Sequence, residues 1–162
     1  MRYIVDGYNL FFWLENDPLP LEQKREDFLE ALSEIVKTFE IQVHVIFDSC
    51  IENSKEFASK RLLSSQIKVS FSPKHLTADE FILETFEWNG KNTILVTSDI
   101  ELSRKSADFG VETISTEDFI NLLKKKRKQN NCSEQKPQKD TQKSIERLNT
   151  IFSKRLGGSD GL

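Results

Sequence analysis

Val43-His44-Val45-Ile46-Phe47-Asp48, residues 43–48, is a short apolar run that stops on an acid. Val, Ile and Phe packed into five residues and bounded by polar positions make a buried strand. The same grammar occurs twice more, in Tyr3-Ile4-Val5-Asp6 and in Ile94-Leu95-Val96-Thr97-Ser98-Asp99. A fourth acid, Asp79, stands in Thr77-Ala78-Asp79-Glu80, where a helix starts. Working outward, strands are expected at 2–5, 43–47, 67–71, 93–97 and 111–114.

Between these runs the apolar period lengthens to that of helices. From Leu21 to Glu40, Phe28, Leu32, Ile35, Val36 and Phe39 fall on one stripe, after Pro18 and Pro20 mark a loop. A weaker helix is predicted over Lys55 to Leu63, a stronger one over Ala78 to Trp88, and a short one from Ile100 to Phe109 that stops at Gly110. Ser115 caps a last helix that runs into a basic cluster. Strands alternating with helices require crossover connections and hence parallel pairing. The expected fold is α/β, a three-layer sandwich around a mainly parallel five-stranded sheet. In such sheets a polar site forms outside the carboxyl ends of the strands, where strand order reverses. Asp6, Asp48 and Asp99 all fall at such ends.

At 162 residues the chain suits one core and a short appendage. The apolar fraction of 37%, set against 30% charged residues, is that of a globular domain. No window approaches the ~18 apolar residues of a membrane span, and Asp6 interrupts the N-terminus too early for a secretory signal. A cytoplasmic location with no membrane partner is therefore expected. Cys50 and Cys132 stand far apart, as do His44 and His75, which leaves little material for a disulfide framework or a zinc site.

The net charge of −3 hides two opposed halves. Residues 1–120 hold 12 Lys and Arg against 22 Asp and Glu, whereas 121–162 hold 11 against 4. A basic tail on an acidic body fits a polyanionic partner, or is simply solvated. By composition the body spans 1–128. Residues 129–142 lack large apolar side chains and read as a flexible linker. In the basic segment 143–162, Ile145, Leu148, Ile151, Phe152 and Leu156 recur at helical spacing.

Hard divalent cations such as Mg²⁺ or Mn²⁺ take oxygen ligands, and carboxylates gathered at one rim would supply them. Without a cation they would repel one another and raise each other's pKa. One or two such ions suit phosphodiester hydrolysis, with no nucleophilic side chain required. Each residue also has a structural reading. An Asp beyond a strand can cap a helix, and Asp79 sits in a first turn favoured by the dipole. Thr77 and Glu80 form a capping box. Thr97 and Ser98 could hydrogen-bond a phosphate or satisfy local backbone groups. Cys50 has no adjacent base in sequence and reads as a bystander thiol. Phe11, Phe12 and Trp13 could stack on bases or fill the core. Lys124, Lys125, Lys126, Arg127 and Lys128 could hold a phosphate backbone or form a solvated helix end.

Asp6-Gly7-Tyr8-Asn9, Val45-Ile46-Phe47-Asp48, Thr77-Ala78-Asp79 and Val96-Thr97-Ser98-Asp99, in that order, resemble the NYN domain, and within it the YacP-like branch of the PIN-like nucleases. The likeness covers about residues 1–125. It implies strand order 3-2-1-4-5 and a metal-dependent endoribonuclease using Mg²⁺ or Mn²⁺. Asp6, Asp48, Asp79 and Asp99 match the family's catalytic and metal-binding acids, and Asn9 the asparagine that orients the first of them. Some members of the branch act on messenger RNA on the ribosome, which a basic C-terminal segment would suit. After Asn9 the chain departs from the pattern, with the bulky Leu10-Phe11-Phe12-Trp13.

Two rivals stand beside the nuclease. One is a non-catalytic RNA- or ribosome-binding module of the same fold. The other is a phosphoacceptor receiver domain, which would pair two acids after its first strand and place a lysine after its fifth. Here Gly7 follows Asp6, and Glu112-Thr113-Ile114-Ser115 holds no lysine.

Overall fold

A computed structural model describes residues 1–14, 21–49 and 59–131. In chain order the elements are β1 (Arg2–Asp6), α1 (Gly7–Leu14), α2 (Leu21–Val36), β2 (Gln42–Phe47), β3 (Ser59–Leu62), β4 (Ile67–Phe71), α3 (Ala78–Asn89), β5 (Thr93–Val96), α4 (Ile100–Ala107), β6 (Glu112–Ile114) and α5 (Thr116–Asn131). They form one six-stranded sheet in the order β3-β4-β2-β1-β5-β6. Every pairing is parallel except β3 with β4. The five expected strands thus lie in the order 3-2-1-4-5, with one further strand added at an edge.

Alternation along the strands builds two cores. Tyr3, Val5, Val43, Val45, Phe47, Val69 and Val96 face α1, α2 and α5, where they meet Leu10, Phe11, Phe28, Leu32, Val36 and Phe119. Ile4, Ile46 and Leu95 face the other way, onto Ala78, Ile82 and Phe86 of α3 and Leu102 of α4. This is the three-layer sandwich, and all five residues of the expected stripe, four on α2 and Phe39 just beyond it, are buried. The helix boundaries follow local chemistry. Thr77 and Glu80 close the expected capping box at α3. The Ser115 hydroxyl accepts from the Asp118 amide at 3.0 Å to start α5. Gly110 adopts φ 69° just after α4, a conformation that favours glycine.

Two local expectations need correction. The weak helix over Lys55 to Leu63 is not formed where the chain is described: residues 59–62 make β3, antiparallel to β4. The remainder of that stretch lies outside the described residues. The cause is tertiary, because β4 would otherwise present an open edge of unpaired amides. The Ser64 hydroxyl shapes the turn, accepting from Gln66 and Ile67 amides at 3.3 and 3.1 Å. The second departure is α1, which begins directly after Asp6 where no helix was assigned.

Gly7 is the hinge of that change from strand to helix. A Cβ here would sit 2.6 Å from the Phe47 ring and 2.8 Å from the Ile46 carbonyl oxygen. The carbonyl belongs to a central strand and has nowhere to go. Gly7→Ala is therefore expected to cost about 2 kcal/mol, within the range for overpacking a core. Urea unfolding would show a lower midpoint at unchanged slope. A midpoint equal to that of the parent would mean that the strand gives way.

Candidate functional site

β1 lies at the centre of the sheet, and strand order reverses between it and β5. Their register sets Val5 beside Val96, so the chain leaves both strands at the same height. Asp6 ends β1 and precedes α1, where its Oδ1 accepts from the Asn9 backbone amide at 3.4 Å. Its Oδ2 accepts from the Thr97 hydroxyl at 3.3 Å. That same hydroxyl oxygen accepts from the Asp99 amide at 3.1 Å, so Thr97 links two of the acids. Asn9 ties the strand ends together from the other side, its Oδ1 accepting from the Ser98 amide at 3.0 Å. The Ser98 hydroxyl pairs with the buried Thr116 hydroxyl at 2.7 Å and serves the frame.

Asp99 is the N-cap of α4, its Oδ1 accepting from the Glu101 and Leu102 amides at 2.8 and 3.0 Å. Asp6 and Asp99 thus both perform the capping work that such positions invite. Their fields overlap nonetheless. Burial raises the Asp6 carboxyl to about 6 from its ordinary 3.8; the Asn9 amide and Thr97 hydroxyl oppose the rise, while Asp79 and Asp99 add to it. Loss of hydration also raises Asp79, and Asp99 and then Asp48 push the same way against the pull of Lys105. All four acids therefore lie in one electrostatic neighbourhood at the carboxyl edge of the sheet. Among the described residues, however, no three His, Cys, Asp or Glu side chains meet at metal-ligand spacing. Like charges hold apart without a counter-ion, and helix amides already hold Asp99.

A profile of the YacP-like NYN domain matches residues 3–156. The chain belongs to the YacP-like NYN domain family. Two crystal structures of Rae1 (YacP) from Bacillus subtilis share its fold. One matches at 23% identity and a TM-score of 0.57, covering 99% of this chain and 98% of that one. The other, of a W164L mutant, matches at 18% identity and the same TM-score, covering 95% and 99%. No curated protein is similar enough to this chain to count as a match. The family has a PIN-like nuclease fold, which supports an RNA-related nuclease role and leaves the receiver-domain reading without support.

For a YacP-like NYN domain, the remaining expected site residues are distributed unevenly. The basic run lies on α5, which starts at the rim through Thr116 but carries Lys124 away by roughly 12 Å of helix rise. Lys125 is exposed and Lys124 and Lys126 are half-buried, while the side chains of Arg127 and Lys128 lie outside the described residues. So do Cys50, residues 132–142 of the expected linker 129–142, the segment 143–162 with the expected amphipathic helix, and the side chains of Phe12 and Trp13, whereas residues 129–131 of that linker continue α5. Phe11 is 1% exposed and offers no ring to a base. Two cavities, of about 630 and 970 Å³, open at the amino ends of the strands. Neither is lined by any of the four aspartates. No described helix is long and apolar enough to cross a membrane. Thr116 was missed by sequence reading, since a buried hydroxyl at a helix start looks like any other cap.

Proposed function

We propose that this chain is a divalent-metal-dependent endoribonuclease whose acidic rim holds Mg²⁺ or Mn²⁺ through Asp6, Asp48, Asp79 and Asp99. One observation carries the reading: a half-buried carboxylate at the strand-order switch, raised to about 6 in a neighbourhood shared with three other acids. Such a cluster is costly as it stands and is relieved by positive charge. The donor set is all oxygen, which suits a hard cation. When bound, the ion would supply the Lewis acidity for water to attack phosphorus in line, leaving a 5′-phosphate and a 3′-hydroxyl.

The chain's own groups prepare that event. Thr97 and the Asn9 amide fix both oxygens of Asp6, so its direction is set before any ion arrives. Asn9 and Ser98 lock the ends of β1 and β5 together and so set Asp6 and Asp99 at one rim. The basic segment from Lys124 onward would hold the strand at a distance from the acids, and messenger RNA on the ribosome in the cytoplasm is the setting that the family resemblance implies.

The test is cleavage of RNA in Mn²⁺, in EDTA and with Asp99→Asn. Asparagine still accepts from the Glu101 and Leu102 amides, so the cap survives while the charge is lost. The expected result is no cleavage in EDTA and a loss of at least ~100-fold with the variant, the upper range for disturbing even an outer-shell partner. Full activity in Asp99→Asn would reduce Asp99 to a cap. RNA binding that survives EDTA with no cleavage would favour the non-catalytic module.

A further inference from the structure

Arg25, on the second turn of α2, has its guanidinium carbon 4.9 Å from the Phe71 ring centre and 5.8 Å from that of Phe47. The two rings stack on each other at 5.6 Å and end β4 and β2. Phe47 is the residue before Asp48. One Nη donates to the Tyr8 hydroxyl at 3.5 Å, and Tyr8, two residues after Asp6, packs edge-on against Phe47 at 5.0 Å. A permanent cation is thus held at the same edge of the sheet as the acids, on the β2–β4 side.

Among the described residues its charge meets rings and a hydroxyl rather than an acid. No carboxylate among the described residues pairs with Arg25, and the neighbouring Glu26 is engaged in both oxygens by Arg61 at 3.1 and 2.8 Å. The charges that chiefly act on Asp6 and Asp79 are other acids and Lys105, not Arg25. Two buried side-chain polar atoms among the described residues lack a hydrogen-bond partner, Arg25 Nε and Ser49 Oγ. Ser49 is 7% exposed and follows Phe47 by two residues, so both flank the end of β2. Native folds leave few such groups, and those they leave ask for an explanation such as an ion or ligand. A planar guanidinium stacked on aromatic rings is preorganised for the two-pronged recognition of phosphate.

We infer that Arg25 is the anion-binding residue of an RNA-backbone subsite on the β2–β4 side of the acidic rim, taking the phosphate of a nucleotide that flanks the scissile one. The inference rests on the RNA reading of the rim. Its place matters, because the four acids repel the strand they are to cut, and a cation beside them sets where the backbone enters.

The experiment measures binding of a single-stranded RNA at several salt concentrations, using Asp99→Asn as a non-cleaving parent and Arg25→Gln in that background. Arg25→Gln is expected to weaken binding about tenfold at low salt and to reduce the slope of log K on log salt by about 0.7, the value for one phosphate contact on a single strand. In the cleaving enzyme KM should rise about tenfold with kcat within twofold. Arg25→Lys keeps the charge and should keep the slope while losing several-fold in affinity with the planar fork; it carries the test should the glutamine variant fail to fold. A parent that binds RNA while both substitutions leave slope and affinity unchanged overturns the assignment alone. A parent that binds no RNA overturns the RNA reading, and this assignment with it.

Discussion

Asp6→Asn is expected to lower RNA cleavage by at least ~100-fold and, in the absence of metal, to make the protein more stable. The gain follows from the position of Asp6. Its folded-state pKa of about 6 lies above the ordinary 3.8, so the folded form binds the proton more tightly than the unfolded chain. Asp6 therefore favours folding most below the lower value. That contribution is lost as pH rises between the two, and above about 6 the carboxylate is a standing cost of roughly 3 kcal/mol at 1.36 kcal/mol per pKa unit. Asparagine removes the charge and still accepts from the Asn9 amide. In EDTA its melting temperature should exceed the parent's by about 6 to 12 °C at pH 7.5, given ~2 to 4 °C per kcal/mol for a chain of this size. At pH 4 the two should nearly coincide. Equal melting temperatures at both pH values would show that Asp6 is not strained by its surroundings and would remove the main support for a cation there.

Divalent metal should stabilise the parent by a comparable amount and the variant hardly at all. An ion that binds only the folded state contributes ~2.7 kcal/mol at a hundred times its dissociation constant. Mn²⁺ or Mg²⁺ should thus raise the melting temperature by several degrees, and EDTA should reverse it. Protons and metal compete for a carboxylate, so the shift should shrink as pH falls through about 6, where Asp6 takes up its proton. Asp6→Asn should abolish both the shift and its pH dependence. The same shift in parent and variant would place the ion elsewhere on this acidic body. Drawing the acids to ligand spacing is work that the ion itself must do, and the free energy so used lowers its affinity.

Much of this site was legible in residue order. Runs such as Val43–Phe47 announce buried strands because Val, Ile and Phe fit a pleated surface covered on both faces, and the acid after each run marks where burial ends. Thr77 and Glu80 disclose a helix start because a capping box is made within four residues. The resemblance added strand order, which no local pattern contains. Other features left no such mark. Residues 59–62 carry no strong period, and only the bare edge of β4 makes them a strand. Arg25 sits in Lys24-Arg25-Glu26-Asp27, an ordinary charged turn of a helix, and gains its character from rings on two distant strands.

Residue order by itself determined where most strands and helices form, β3 and α1 excepted, and that an acid waits at each key boundary, since periodicity and capping act over a few residues. Tertiary structure alone decided that Thr97 reaches Asp6 across 91 positions, that Asn9 clasps Ser98, and that Arg25 meets the rings of Phe47 and Phe71. The reason is physical. Local chemistry selects a conformation for each segment, but the distance between two carboxylates is set by how whole layers pack, and packing is a sum over contacts that no single stretch of chain contains.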